Sequence, residues 1–414
     1  MPTRQADASL PLYRVLLAIG GVYLVQSLIS GLTFNGVPAA LRSSGASLDS
    51  IGLVSLVMVP WALKFIWAPA IERYRLPHGR PRRSRQVVAM CQVVAMLSLV
   101  ALAFVGPLSV TMVLACLAVM AFASATADIA CDGFAIQQLS PADRGWGNTA
   151  QVGGGYLGIV VGGGLFLILI PSFGWTAACL AMSALVVVLT LPFLATPEPG
   201  HSIGDHAPHR PSLGYALRRS EVQAGLVVVT CFEIGVRLTQ GISAPFLVDR
   251  GFDLATLGYL TGGGAIVSAV LGTVLGGLAI RRHGPRRSVV AAVGLQTLAV
   301  VVLASVSLVP TAPLWCLGTV VVLKSVAMAF GFVCLYSLLM GYASPRQAGV
   351  DFTLFQCADA LVAALAGFAG GVVAQRTGYP IAFWIAAVLG IGACAALPLL
   401  LRRAGAAERS GAAE

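Results

Sequence analysis

The sequence predicts an all-α integral membrane protein in which twelve transmembrane helices form two related halves. Three observations support this prediction: the scarcity of charged residues, the number of long apolar stretches, and motifs that recur half a chain apart. Of the 414 residues, 57% are hydrophobic and 10% are charged, whereas a soluble domain carries about a quarter charged residues. So few charges cannot cover a globule with a polar surface, which argues against a soluble enzyme and against a nucleic-acid-binding protein.

Twelve stretches of the sequence have the length and composition of transmembrane helices, which need about 20 mostly apolar residues. They lie at 14–40, 49–72, 87–106, 110–138, 147–170, 173–195, 220–247, 254–280, 288–309, 313–342, 350–375 and 379–401. The first stretch lacks the short apolar core and small-residue cleavage site of a signal peptide, so we expect it to remain as an uncleaved helix.

The basic residues predict the orientation of these helices, because Lys and Arg concentrate in cytoplasmic loops. Placing the N terminus inside puts 20 of the 26 basic residues in the cytoplasm. Only Arg42, Arg250 and Arg376 fall on the opposite side. We therefore expect both termini in the cytoplasm. This bias also explains the net charge of +10 without a polyanionic partner.

Three motifs recur at separations close to half of the chain length. Pro-Arg-Arg-Ser occurs at 81–84 and 285–288, in basic turns after the second and eighth spans. Ser-Pro at 140–141 recurs at 344–345, again 204 positions later, after the fourth and tenth spans. The third motif, at 45–52, resembles residues 251–258, which lie 206 positions later. Such regular recurrence indicates an internal duplication.

The duplication predicts three parts of the chain. An N-terminal six-helix bundle occupies 1–195, a cytoplasmic linker rich in Pro, Gly and His occupies 196–219, and a C-terminal six-helix bundle occupies 220–414. Two repeated bundles are the arrangement expected of a transporter that alternates access to a site between them.

Cysteine and histidine residues give no sign of a metal site. The nine cysteines lie in apolar runs without a CxxC pair, and no histidine lies in a predicted span. Neither a disulfide framework nor a zinc site is expected. We predict no catalytic residue, no metal and no cofactor. Because no histidine lies in a span, a proton relay inside the membrane would depend on carboxylates.

Seven charged residues lie in the interior of the predicted spans, away from the span ends. Each costs about 3 kcal/mol or more at mid-bilayer, so such residues usually face a cavity and carry function. They are Lys64, Asp128, Asp132, Glu233, Arg237, Lys324 and Asp359.

Lys64 and the two aspartates of the fourth span are candidates for proton coupling. At 1.5 Å per residue, Lys64 lies about 14 Å and Asp132 about 12 Å from the cytoplasmic turns. Lys64 is therefore expected to pair with Asp132 or with Asp128. The aspartates are spaced i, i+4, so they share a helix face and favour holding one proton between them. The alternative is a static salt bridge that locks the helices.

Candidates for substrate binding lie in the second half. Glu233, Arg237 and Gln240 follow i, i+4, i+7 spacing on one stripe, where Glu233 can neutralise Arg237 or leave it to meet substrate. Lys324 lies about 16 Å deep, where it can pair with Asp359 or attract an anionic substrate. Asp359 is a further proton-coupling candidate. Tyr336 is the aromatic candidate for substrate binding. Alternatively, it is an ordinary core or lipid-facing residue.

Glycines spaced four apart predict close helix packing. Gly154, Gly158 and Gly162 follow this spacing in the fifth span, and Gly367 and Gly371 follow it in the eleventh. Packing is favoured over phosphate binding, which needs a polar helix mouth.

The basic turns resemble the Gly-x-Leu-Ala-Asp-Arg-x-Gly-Arg-Arg turn of the major facilitator superfamily. The second copy keeps four of these residues, Gly277, Arg282, Gly284 and Arg286. It has Arg281 at the Asp position, whereas the first copy keeps an acid there, Glu72, followed by Arg73. The resemblance implies a gating role for Glu72, Arg73 and Arg282.

Narrower segments resemble one branch of that superfamily. Residues 63–69, 72–74, 128–134 and 151–158 are similar to muropeptide permeases and to related siderophore importers. Muropeptide permeases usually carry two further helices, so the whole chain instead resembles the RhtX/FptX group of siderophore permeases, and most of all its pyochelin importers of pseudomonads. The resemblance implies a monomer of the bacterial inner membrane that imports a ferric siderophore, with protons and the lipid bilayer as its other partners and no nucleic acid.

Drug export and membrane-bound catalysis are the alternatives to siderophore import. Proton-linked drug exporters of this fold usually carry Gly-Pro in the fifth span, which here reads Gly158 to Gly164 without proline. A membrane enzyme is disfavoured because the spans hold no histidine and the chain has no GxGD or GxxxxGK[ST] motif. The resulting hypothesis is proton-coupled import, in which Arg237 and Lys324 attract an anionic group of the siderophore.

Overall fold

The computed structural model describes residues 10–44, 54, 57, 59–77, 81–107, 109–198, 210–252 and 254–411, and within these ranges it contains helices and no strand. The described residues up to 195 form eight α-helices: α1 Leu12–Gly31, α2 Val37–Ser43, α3 Val59–Leu63, α4 Ala68–Arg75, α5 Ser84–Val105, α6 Val110–Gln138, α7 Arg144–Ile159 and α8 Phe166–Ala195. The described residues after 195 form another eight: α9 Leu213–Arg218, α10 Ser220–Asp249, α11 Leu254–Val267, α12 Thr273–His283, α13 Pro285–Ser307, α14 Leu314–Tyr342, α15 Ala348–Thr377 and α16 Tyr379–Gly411.

Wider helical turns interrupt three of the long runs. Single π-helical segments connect α1 to α2, α7 to α8 and α11 to α12; they are Leu32–Gly36, Val160–Leu165 and Ser268–Gly272. A 3₁₀ turn, Lys64–Ile66, lies between α3 and α4. Such irregular turns often mark functional positions in helices.

Ten helices in the described part of the chain are long and apolar enough to cross a membrane. One of these runs, Arg144–Ala195, has 52 residues, or about 78 Å of helix, which is more than twice the hydrocarbon thickness of a bilayer. Gly174 breaks it with φ 83° and ψ 168°, at the second residue of the predicted sixth span. The predicted second span lies partly outside the described residues. The count of twelve therefore stays a prediction.

Glycines with positive φ end or divide several of these helices. Gly106 follows α5, Gly251 follows α10, Gly284 separates α12 from α13, and Gly378 separates α15 from α16. With Gly174, these are the described residues with positive φ, and none of them carries a side chain. A left-handed residue ends a helix at least cost when it is glycine.

The chain forms two compact units. The first unit contains residues 1–143, 153–213 and 344–353, and the second contains 144–152, 214–343 and 354–414. Each unit therefore includes a short segment from the other predicted half. The boundaries predicted at 195 and 219 stay a prediction. Residues 199–209 of the predicted linker and the motif at 45–52 lie outside the described residues.

Each unit has its own apolar core and an apolar surface. Leu28, Leu99 and Phe166 belong to the core of the first unit, and Phe246 and Phe383 belong to that of the second. Large apolar side chains are also exposed, including Phe104, Trp315 and Phe368, each at 75% or more of its surface. Burial on one face and apolar exposure on the other are expected when lipid replaces water as the solvent.

Helices pack closely at the glycines of α7 and of the π-helical segment that follows it. A Cβ atom on Gly158 would lie 2.5 Å from the carbonyl oxygen of Leu24, and one on Gly162 would lie 1.9 Å from that of Leu28. The backbones of α1 and α7 therefore approach at the predicted stripe. In α15 the prediction of Gly367 and Gly371 is wrong, because neither has an atom within 4 Å of its Cβ position. The packing glycine there is Gly370, where a Cβ atom would lie 2.2 Å from the carbonyl oxygen of Leu238.

Candidate functional site

All seven charged residues in the interior of the predicted spans are buried, with at most 9% of their surface exposed. They form one group in each unit. The first unit holds Lys64, Asp128 and Asp132, and the second holds Glu233, Arg237, Lys324 and Asp359. Because a buried charge is costly unless it is paired or hydrogen-bonded, the partners of each residue indicate what it can do.

Lys64 forms an ion pair with Asp128 in the first unit. Of the two partners that the sequence left open, the structure therefore places Asp128 at the ammonium group. Lys64 begins the 3₁₀ turn between α3 and α4, and its ammonium also lies 5.7 Å from the centre of the Trp61 ring. An aromatic face next to a buried cation adds a favourable electrostatic contact.

Asp132 lies one turn after Asp128 on α6 and has a different neighbour. The phenol of Tyr23, on α1, donates a hydrogen bond of 2.7 Å to its carboxylate. The first group thus combines two buried carboxylates on α6 with a lysine on the 3₁₀ turn and a tyrosine on α1. If all three residues ionise, the group carries one excess negative charge, and binding a proton removes that charge.

Arg237 is the centre of the group in the second unit. Its guanidinium lies between two carboxylates, 2.9 Å from Glu233 and 2.6 Å from Asp359. It also donates a hydrogen bond of 3.0 Å to Gln240. The predicted stripe on α10 is thus a contact network, completed by Asp359 from α15.

Aromatic residues of α14 complete this network. Tyr336 donates a hydrogen bond of 2.8 Å to Asp359, and Phe332 places its ring 4.8 Å from the guanidinium carbon of Arg237. The two rings stack with centres 5.9 Å apart. The charge of Arg237 is thus neutralised by carboxylates and covered by a ring.

Lys324 has a different environment from Arg237. Its ammonium bonds to the hydroxyls of Thr239, at 3.1 Å, and Ser243, at 2.7 Å. No carboxylate of the described residues lies within 4.0 Å of it. The pairing of Lys324 with Asp359 that the sequence allowed is therefore wrong, because Asp359 binds Arg237 instead. An ammonium has three N–H donors, so two hydroxyls leave one for a ligand.

The gating candidate Glu72 pairs with Arg75. Its two oxygens each accept a hydrogen bond of 2.8 Å from this guanidinium, which also bonds to Ser84 and Gln137. One Glu72 oxygen accepts a further bond from the backbone N–H of Gly349, in the first turn of α15. Glu72 therefore connects α4 to residues 348–353, the part of α15 that belongs to the same unit.

The other two gating candidates lie apart from this pair. Arg73 donates a hydrogen bond of 2.9 Å to the carbonyl oxygen of Pro211, so it holds the described end of the linker. Arg282 is exposed at the end of α12.

Several residues of these groups were missed in the sequence. Arg75 stands in a basic turn and resembles a topological charge, although its side chain is fully buried. Thr239 and Ser243 are common in membrane helices, and their spacing of four residues beside the predicted stripe on α10 was the only available signal. Gly349 acts through its backbone, for which the sequence offers no signal.

Comparison with known families matches most of the chain to one model. The model of the Major Facilitator Superfamily matches residues 19–367 and 226–414. An uncharacterized protein of Haemophilus influenzae is 26% identical over 371 residues, which are 86% of this chain and 87% of that protein. The anhydromuropeptide permease of Escherichia coli is 28% identical over 279 residues, which are 66% of this chain and 56% of the permease.

Solved structures match the fold over nearly the whole chain. A bacterial homologue of the iron transporter ferroportin in an outward-facing state superposes with a TM-score of 0.72 at 14% identity, covering 95% of this chain and 100% of that one. The fucose:proton symporter FucP of Escherichia coli gives 0.71 at 14% identity, covering 94% and 98%. At these identities the likeness concerns the fold.

Proposed function

The chain belongs to the Major Facilitator Superfamily and is a multi-pass secondary transporter, and from this premise we propose that it imports an anionic organic solute across the bacterial inner membrane. In this proposal transport proceeds by alternating access and is coupled to protons. The solute is a ferric siderophore, of which ferripyochelin is our first candidate.

The observation that carries the proposal is the environment of Lys324. Among the described residues, the partners of this buried ammonium are two neutral hydroxyls, which provide no counterion, and removing a charged ammonium from water is costly. A phenolate or carboxylate supplied by the substrate would compensate it with a charge-assisted hydrogen bond. Lys324, Thr239 and Ser243 would then bind the anionic group together.

The network around Arg237 supports a second role in binding. Glu233 and Asp359 form ion pairs with Arg237, Gln240 accepts a hydrogen bond from it, and Tyr336 donates one to Asp359. A substrate anion must therefore displace one of the partners of Arg237. We propose that Asp359 exchanges Arg237 for a proton when the substrate binds. This exchange would couple substrate binding to protonation inside the second unit.

The first group supports a proton site of its own. Asp128 and Asp132 are buried one helical turn apart, with Lys64 and Tyr23 as their respective neighbours. We propose that these aspartates exchange the coupling proton and that Lys64 responds to their charge. Glu72, Arg73 and Arg282 would take part in gating, with Glu72 acting through Arg75 and Gly349.

A muropeptide is the second candidate substrate, because the Escherichia coli relative is a permease named for anhydromuropeptides. Both candidates are organic anions, so Lys324 suits either one. They differ in chemistry, since a muropeptide carries sugars and a peptide whereas a siderophore chelates ferric iron. Drug export has no such support from the comparisons given above.

Uptake into a strain that lacks this protein distinguishes the candidates. The strain is tested with a panel of ⁵⁵Fe-labelled siderophores that includes ferripyochelin. We expect the wild-type gene to restore import of a siderophore from this panel, whereas a radiolabelled anhydromuropeptide should stay outside the cells. The reverse result would replace the siderophore by the muropeptide. Failure to import either, with increased resistance to drugs, would overturn import altogether.

The role of Lys324 is tested with the imported substrate. Lys324→Ala is expected to weaken apparent affinity about 10-fold to 100-fold, the value of one charge-assisted hydrogen bond. Lys324→Arg should keep most of the affinity. The control is Ser325→Ala, whose hydroxyl bonds to the backbone of its own helix. Unchanged affinity in Lys324→Ala would exclude this lysine from the binding site.

A further inference from the structure

In both halves a long helix starts within the Pro-Arg-Arg-Ser sequence. In the first half, the start of that helix binds the carboxylate of a glutamate from the same chain. Ser84 is the first residue of α5. Its backbone N–H donates a hydrogen bond of 3.0 Å to Glu198, and its hydroxyl donates one of 2.6 Å. The carboxylate lies where a helix offers unpaired N–H groups and positive potential. The chain thus supplies its own anion to this turn.

The second copy repeats the Pro-Arg-Arg-Ser sequence in a different electrostatic environment, and the backbone N–H of its serine, Ser288, donates to the carbonyl oxygen of Gly284. Ser288, which corresponds to Ser84, donates its hydroxyl to the carbonyl oxygen of Gly284. The position 204 residues after Glu198 is occupied by Arg402. Within the described ranges, no carboxylate oxygen lies within 4.0 Å of Arg282, His283 or Arg287. The second turn therefore concentrates positive charge where the first contains an acid.

A cavity lies directly at this turn. It has a volume of about 380 Å³ and is lined by five residues of the turn, His283, Gly284, Pro285, Arg286 and Arg287, and by Leu338, Gly341 and Tyr342 of α14. Arg287 and His283 are exposed. The cavity is therefore open to a ligand and has a guanidinium and an imidazole in its wall.

An apolar groove begins at the same histidine. It has a volume of about 360 Å³, and its apolar walls are Leu275, Leu278, Ala279, Leu295, Val326 and Phe330. Arg282 and His283 complete the lining. Leu275 and Leu278 are about half exposed, on helices with the length and composition of membrane spans. Cationic groups thus meet a groove that faces lipid.

We propose that this basic turn and groove bind an anionic phospholipid. The phosphate would lie against Arg287, His283 and Arg282, and an acyl chain would occupy the groove beside Ala279. Charge complementarity selects an anionic headgroup, since basic pockets between membrane helices bind such headgroups. The apolar groove selects a lipid over a free anion, because inorganic phosphate has nothing to bury there.

Matched variants of the two copies test the proposal by native mass spectrometry of the full-length protein. Wild-type protein should bind dioleoyl-phosphatidylglycerol in preference to dioleoyl-phosphatidylcholine. Arg287→Gln should reduce that preference about fivefold, the contribution of one arginine near a membrane surface. The control is Arg83→Gln at the equivalent position of the first copy, where Glu198 already lies at the turn; it should keep the preference.

Two further measurements separate a lipid from other ligands. Ala279→Trp fills the groove and should weaken phosphatidylglycerol binding while all arginines are present. Millimolar inorganic phosphate should leave the bound lipid in place. The proposal is overturned if Arg287→Gln and Arg83→Gln behave alike, or if inorganic phosphate releases the lipid. Thermal unfolding in phosphatidylcholine alone should match wild type for each variant, because Arg287 and Ala279 lie at the surface or partly buried.

Discussion

The Glu72 carboxylate accepts a hydrogen bond of 3.1 Å from the backbone N–H of Gly349, a residue 277 positions later in the sequence. The same carboxylate binds Arg75, and neither side chain is exposed. A Cβ atom on Gly349 would lie 2.7 Å from Glu72 and equally close to the carbonyl oxygen of Ile129. The absence of a side chain at Gly349 is therefore what admits the carboxylate to the start of α15.

Glu72→Gln is expected to lower the free energy of unfolding by about 3–5 kcal/mol, because it leaves the Arg75 charge buried without its counterion. Denaturant unfolding of the purified protein measures this change. Glu221→Gln is the matched control, since its partner Arg219 lies 3.5 Å away in a partly exposed pair. Such a pair contributes at most about 1 kcal/mol. Equal losses in the two variants would contradict the role assigned to Glu72.

Arg237→Gln should destabilise the protein more than Asp359→Asn does. Removing Arg237 leaves two buried carboxylates without a cation, whereas removing the Asp359 charge leaves the pair of Arg237 with Glu233. Breaking a buried pair costs about 3–5 kcal/mol. The double variant should recover part of the loss, and a double-mutant cycle on thermal unfolding measures the coupling. Additive losses would show that Arg237 and Asp359 act independently.

Asp128→Asn and Asp132→Asn are each expected to remove the dependence of uptake on the proton gradient, because an amide cannot take up or release the coupling proton. Uptake into vesicles with and without a protonophore measures this dependence. Asp143→Asn is the control, since Asp143 lies beyond the end of α6, where it bonds to Ser140. If both α6 variants keep uptake and its sensitivity to the protonophore, the proton role is wrong.

Gly162→Ala should lower the melting temperature and the yield of folded protein, because its new methyl group would lie 1.9 Å from the Leu28 carbonyl oxygen. Overpacking of this kind typically costs about 1–3 kcal/mol. Gly164→Ala, two residues later, is the control, since no atom lies within 4 Å of its Cβ position. A scanning fluorimetry measurement in detergent compares them. Equal melting temperatures would show that the helices move apart without cost.

Depth and periodicity identified which charged residues could meet, and packing decided which of them did. The similar depths of Lys64 and the α6 aspartates allowed the pair with Asp128, and the i, i+4 spacing anticipated the contact of Glu233 with Arg237. The same reasoning allowed a pair between Lys324 and Asp359 that does not form. Depth gives the position of a residue along the membrane normal but not the direction in which its side chain points around the helix. In the structure, Asp359 points towards Arg237 and not towards Lys324.

Small residues and backbone groups show the same limit. The glycine stripe of α7 was recognised because it repeats every four residues, whereas Gly370 in α15 lay one position from the glycines that the spacing selected. Hydroxyls at Thr239 and Ser243 bond to a lysine on another helix, a contact that depends on how α10 and α14 pack. These arrangements depend on tertiary contacts, which a single sequence does not specify.

The membership of residues 344–353 in the first unit has a consequence for biosynthesis. A ribosome makes the chain from its N terminus, so Glu72 and Arg75 leave the ribosome long before Gly349 does. The first unit is complete only when residue 353 has been made, with 61 residues of the 414 still to follow. Until then its helices are in the membrane without their last segment, so a nascent chain halted before residue 344 is expected to be recognised and degraded as unfinished protein.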